Sequence, residues 1–182
     1  MSKEALVWAH TVEGLVRCGK HRATPRWRER LRAAGLDVEK KLAAFYTREQ
    51  WRQFIVISAE ELFEGTPEQR LELLGGAFID EYALTFLGRA VAALVKLIGP
   101  KRALERMTKS LRSGNNYSQT STTFTGPQRA EFWLNETQGA PSYICGALAA
   151  VLRLTGVRAV RVKTLKTDGH TATFEVEWDA EA

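Results

Sequence analysis

An α+β fold is predicted from three observations. Apolar residues recur at helical spacing before Gly114, alternate residue by residue after Tyr117, and cover nearly every side of the stretch from Phe78 to Ile98. A helix with almost no wetted side belongs in a core. The chain is therefore read as a single domain over residues 1–182. Its helical N-terminal half (about 1–98) surrounds a buried central helix, and its second half (about 99–178) runs helix, hairpin, helix, hairpin into a four-stranded antiparallel sheet.

In order along the chain, Ala5–Trp8 is a short apolar run that suits a strand, and Thr11 stands where it would cap a helix from Val12 to Cys18. Thr24-Pro25 is a cap and first-turn pair for a helix through Ala34, with Trp27, Leu31 and Ala34 facing inward and Gly35 just past its end. Thr47 and Gln50 have capping-box spacing for a helix to about Phe63. Thr66-Pro67 starts the central segment, which is expected to run about 30 residues with Glu81, Thr85, Arg89 and Lys96 as its one polar stripe. Gly88 favours a kink or a close helix crossing there. Gly99-Pro100 closes the segment and opens a basic helix to about Arg112.

Tyr117 to Phe124 is rich in Ser and Thr, Thr125-Gly126-Pro127 is a turn, and Arg129 to Asn135 alternates with Ala130, Phe132 and Leu134 on one face. Pro141 opens a helix through Leu154. Arg158 to Lys166 and His170 to Trp178 form the second hairpin. A three-residue loop, Thr167-Asp168-Gly169, would pair Val162 with Phe174, Val160 with Val176 and Arg161 with Glu175, so that burial and charge agree.

Composition is that of an ordinary globular protein, with 45% hydrophobic and 26% charged residues. The N-terminus lacks a signal-peptide run, and Asp80, Glu81, Arg89 and Lys96 interrupt any membrane span. A soluble cytoplasmic protein with reduced thiols at Cys18 and Cys145 is expected. The net charge of +5 is concentrated in two patches, seven basic residues against Glu29 from Arg17 to Arg32 and six against Glu105 from Lys96 to Gly114. An acidic partner or nucleic acid is the alternative these patches raise. Nucleic acid is not favoured, because Trp27 is the only aromatic within them and its spacing turns it inward.

Catalytic and metal-binding signatures are lacking. His10, His21 and His170 stand away from Cys and carboxylates at ligand spacing, so no metal is expected. Gly75-Gly76 lies within a helical pattern, unlike a phosphate-cradling loop. The candidates for ligand or partner binding are Asp80, Tyr82, Arg89, Asn115, Asn116, Tyr117 and Trp133. Asp80 projects into the sector of Leu84, Leu87 and Val91, where a charge needs a partner; an Arg or a neighbouring helix end would serve as well as a ligand. Gly114-Asn115-Asn116-Tyr117 precedes a polar strand, although a helix-to-strand turn accounts for both Asn residues. Trp133 faces away from Phe132 and is either a binding surface or covered by a helix. An enzymatic alternative would require Asp80, Tyr82 and Asn116 to converge in one cleft.

Phe78-Ile79-Asp80-Glu81-Tyr82 with Thr85 and Gly88, Gly99-Pro100-Lys101-Arg102-Ala103-Leu104, Gly114-Asn115-Asn116-Tyr117, Phe132-Trp133-Leu134-Asn135-Glu136 and Asp168-Gly169-His170-Thr171-Ala172-Thr173-Phe174 form a familiar set. Together they resemble a paralogous family of proteins of about 200 residues, found mainly in myxobacteria and described only as of unknown function. The element order also resembles the fold shared by haem-based nitric-oxide sensors, vinyl-reductase-type hydrocarbon-binding domains and vesicle-tethering transport-particle subunits. That resemblance implies an apolar ligand, a lipid chain or a protein as the bound partner. The haem sensors use a helix His on the iron and Tyr-x-Ser-x-Arg on a strand. Here Tyr117 is followed by Gln119 and Ser121, and no His lies between His21 and His170, so no cofactor is expected. The resulting expectation is a non-enzymatic regulatory or interaction domain that takes a protein partner or a small apolar ligand between its helical half and its sheet.

Overall fold

A computed structural model describes residues 4–179. The elements run β1 (Leu6–Trp8), α1 (Ala9–Cys18), α2 (Pro25–Ala33), β2 (Phe45–Thr47), α3 (Arg48–Leu62), α4 (Pro67–Tyr82), α5 (Phe86–Glu105), α6 (Met107–Gly114), β3 (Thr120–Gly126), β4 (Arg129–Leu134), α7 (Pro141–Leu154), β5 (Val160–Thr167) and β6 (Ala172–Trp178). The α+β class and the four-stranded antiparallel sheet are as expected, with strand order β3-β4-β6-β5. β1 and β2 form a separate two-stranded ribbon.

Local chemistry sets most helix starts. The hydroxyl of Thr24 accepts from the Trp27 amide at 3.1 Å, and Thr47–Gln50 and Thr66–Gln69 are both complete capping boxes. Thr11 is not a cap: α1 begins earlier, at Ala9, and the Thr11 hydroxyl donates to the Gly114 carbonyl at 3.1 Å. Two apolar clusters form the interior. One gathers Val12, Leu15, Trp27, Leu31, Phe54, Ile55 and Leu74 from the N-terminal helices; the other gathers Leu104, Phe132, Leu152, Phe174 and Val176 around the sheet. Ile144 packs against both.

α4 and α7 join the clusters by backbone contact. A Cβ on Gly75 would stand 2.0 Å from the Tyr143 carbonyl oxygen, and one on Gly146 would stand 1.9 Å from that of Glu72. Only glycine lets the helices approach so closely. Of the pair Gly75-Gly76, it is Gly75 that serves the helix crossing.

The expected central helix is corrected in one respect. The apolar stretch is two helices, α4 and α5, bent by 99° across residues 83–85. Thr85 makes the break: its amide and hydroxyl both donate to the Tyr82 carbonyl, at 2.9 and 2.8 Å, while the hydroxyl accepts from the Gly88 amide at 3.0 Å. A side chain on Gly88 would meet the Tyr82 carbonyl oxygen at 1.7 Å, which is the close crossing expected there. Downstream of the bend the helix is only half covered, and Phe86 and Leu97 are 89% and 85% exposed. Gly99, at φ +74°, interrupts α5 again before Pro100.

The second hairpin also differs. Val162 pairs with Val176, Val160 with Trp178 and Arg161 with Glu177, two residues from the expected register, with an irregularity between Thr164 and Lys166. The Asp168 carboxylate accepts from the amides of His170 and Thr171 at 2.9 and 2.6 Å, which lengthens the turn to Asp168–Thr171. A shift of two keeps every side chain on its face. It also places Lys163 opposite Glu175, at 2.5 Å between charged atoms.

Candidate functional site

A cavity of about 170 Å³ lies where the helical half meets the sheet. Phe78, Ile79 and Tyr82 of α4 form one wall, Gly88, Val91, Ala92 and Val95 of α5 roof it, and Phe132 and Leu134 of β4 form the floor. Tyr143, Ile144, Ala147 and Leu148 of α7 and Met107 of α6 complete it. Tyr82 stacks on Phe78 at 5.9 Å with the planes 24° apart. Burial raises the Tyr82 hydroxyl above its ordinary value, and raises Tyr143 further. These phenols stay protonated at neutral pH.

One end of the cavity is polar. Gln138, at φ +61° and 6% exposed, donates from Nε2 to the Tyr117 hydroxyl at 2.9 Å. Its Oε1 is buried and has no partner among the described residues. Whichever way the amide is turned, one of its two polar atoms is left unbonded. Glu136 beside it is fully engaged, accepting from Arg48 Nη1 at 2.8 Å and from the Gln138 amide at 2.9 Å. The Tyr117 hydroxyl is pushed up, first by burial and then by the charge of Glu136.

The sequence candidates divide. Tyr82, Asn115 and Tyr117 line the cavity. Asn115 does so while shaping a turn, its Oδ1 accepting from the Tyr117 and Ser118 amides at 3.1 and 2.8 Å. Asn116 clamps the N-terminal strand, accepting from the Leu6 amide and donating to the Glu4 carbonyl, both at 2.8 Å. Asp80 is exposed, because the helical projection that placed it among Leu84, Leu87 and Val91 does not carry across the break. Arg89 is exposed on α5. Trp133 is half-buried in the row Ser121, Trp133, Thr173 across the sheet and is not a lining residue. Of Asp80, Tyr82 and Asn116, only Tyr82 reaches the cavity. Gln138, Glu136 and Met107 were not anticipated. The signal for the first two was a polar run, Glu136-Thr137-Gln138, all of it buried between a strand and a Pro-opened helix.

Cys18 and Cys145 are free and buried. Burial pushes the Cys18 thiol up to about 12 and raises that of Cys145 as well. Neither lines the cavity. Among the described residues no group of His, Cys, Asp and Glu could hold a metal ion, and no single helix is long and apolar enough to cross a membrane.

The chain belongs to a family described as "Protein of unknown function (DUF2378)", which matches residues 5–179. No curated protein matches it. Solved H-NOX structures share the fold. One, from work on the function of heme distortion in the H-NOX family, has a TM-score of 0.67 at 10% identity, over 94% of this chain and 95% of that one. An oxygen-binding H-NOX domain related to soluble guanylate cyclases, in its oxygen complex, gives 0.67 at 9% identity over 93% and 94%. The Fe(II) unliganded H-NOX protein from K. algicida gives 0.65 at 9% identity over 94% and 96%.

Proposed function

We propose that this member of a family of unknown function is a non-enzymatic sensor or regulatory domain that holds a small, uncharged, largely apolar molecule between its helical half and its sheet. The observation that carries this reading is the carbon-walled cavity at the junction of the two cores. Cavities of about 150 Å³ with apolar walls take up benzene-sized guests, and the volume here, about 170 Å³, is of that size. A charged ligand would lose its hydration against walls whose only ionised group, Glu136, is already paired with Arg48. One polar group on the guest, meeting a polar side chain of the lining such as Ser110 or Tyr117, would fix its orientation.

Haem, the group associated with the H-NOX neighbours, does not suit these residues. The lining contains no His, and no Lys or Arg to meet carboxylate arms. A porphyrin also exceeds a space sized for a single aromatic ring. Likeness of fold supports a ligand-binding role, and the side chains determine which ligand.

Benzene is the direct probe. It should raise the Tm of the wild-type protein in a concentration-dependent way, and Ala92→Phe, which fills the roof side of the space, should abolish that rise. Hemin titrated into the protein should give no shifted Soret band. A wild-type Tm indifferent to benzene, or a shifted Soret band, would overturn the reading.

A further inference from the structure

We infer that the outer face of α5 docks on an anionic lipid surface, lying along it rather than crossing it. Projected at about 100° per residue, Phe86, Leu97, Ala90, Leu94 and Leu87 fall within one arc of about 100°, and all five are exposed. Phe86 and Leu97 are the most exposed large apolar side chains of the described chain, at 89% and 85%. The opposite side of the same helix, through Gly88 and Val95, is buried. An apolar arc of this width facing solvent is the pattern of a helix that sinks partway into a membrane interface.

Charge selects the occupant. Arg89 and Lys96 flank one edge of the arc, Lys101 and Arg102 follow just past the Gly99 break, and all four are exposed. No carboxylate occurs from Leu84 to Leu104. A second copy of the chain laid symmetrically on this face would set these cations against their own equivalents. An anionic bilayer instead offers acyl chains to the arc and headgroup phosphates to the cations. From Phe86 to the break at Gly99 the helix rises about 20 Å, short of the roughly 30 Å hydrocarbon layer. It can therefore only lie in the interface. The inference does not depend on what fills the cavity, because the cavity is lined by the inner side of the helix.

Co-sedimentation with vesicles tests it, using equal amounts of phosphatidylglycerol and phosphatidylcholine against phosphatidylcholine alone. The full chain should pellet with the anionic vesicles, about tenfold or more weaker with the neutral ones, and progressively less as salt rises. The double variant Phe86→Ser, Leu97→Ser should lose vesicle binding about tenfold or more with an unchanged thermal melt. Arg89→Glu with Lys96→Glu should lose binding to the anionic vesicles. Wild-type protein left in the supernatant, equal binding to both vesicle types, or an unaffected serine variant would overturn the proposal. So would a dimer in solution that the serine variant dissociates, since that would assign the face to a second copy.

Discussion

Helices α4 and α5 come from one apolar stretch and end in opposite environments. α4 is pressed against α7 so closely that Gly75 and Gly146 touch the opposing backbone, and Leu74 and Phe78 are buried. α5, turned by 99°, covers the cavity with one side and leaves Phe86, Leu94 and Leu97 in solvent. The difference shows that apolarity alone does not assign a helix to the core. What assigns it is a partner surface shaped to receive it, and among the described residues α4 meets one in α7 while the outer face of α5 meets none. The first helix supplies stability, and the second is free to supply a surface and a roof.

Gly75→Ala should strike this division hardest, lowering unfolding free energy in urea by about 3 kcal/mol, because its Cβ would collide with the backbone of a separate helix, α7, and force the two apart, whereas the clash at Gly88 is with the adjoining α4–α5 corner. Next, Gly88→Ala should cost about 2 kcal/mol and loosen the α4–α5 corner, visible as faster hydrogen exchange confined to α5. Gly76→Ala, one residue from the critical glycine, has room for its methyl, with nothing closer than 3.8 Å. It should raise stability by up to about 1 kcal/mol through helix propensity. The smallest effect belongs to Phe86→Ser and Leu97→Ser, each expected within about 0.5 kcal/mol of wild type in the same assay. Equal destabilisation by Gly75→Ala and Phe86→Ser would erase the distinction between the two helices. Amide protection as strong in α5 as in α4 would do the same.

Signals acting within a few residues of one another were readable in the sequence. The caps at Thr24, Thr47 and Thr66 stand where spacing placed them, because a cap is a bond between positions three apart. Even the 83–85 break left such a trace: Thr85 and Gly88 have the cap-to-N3 spacing that splits the stretch. It is masked by apolar residues on both sides, and a helical projection carried through it put Asp80 in the wrong environment. The strand Phe45–Thr47 was not anticipated, since three residues acquire that state only by pairing with Leu6–Trp8, far off in the chain. Tyr82 and Tyr117, both named from the sequence as binding candidates, do line the cavity. Gln138 was not named, because a polar residue in a connecting segment resembles any solvated loop until the chain folds over it.

By itself, then, the sequence determined the α+β class, the alternating faces of the strands and most helix starts, all of which follow from periodicity and short-range hydrogen bonding. Only the tertiary structure decided which apolar helix is covered, which polar side chain is buried without a partner, and where two imperfectly matched cores leave a space. Those outcomes depend on the shapes of surfaces that meet across long stretches of chain, and no local pattern encodes them.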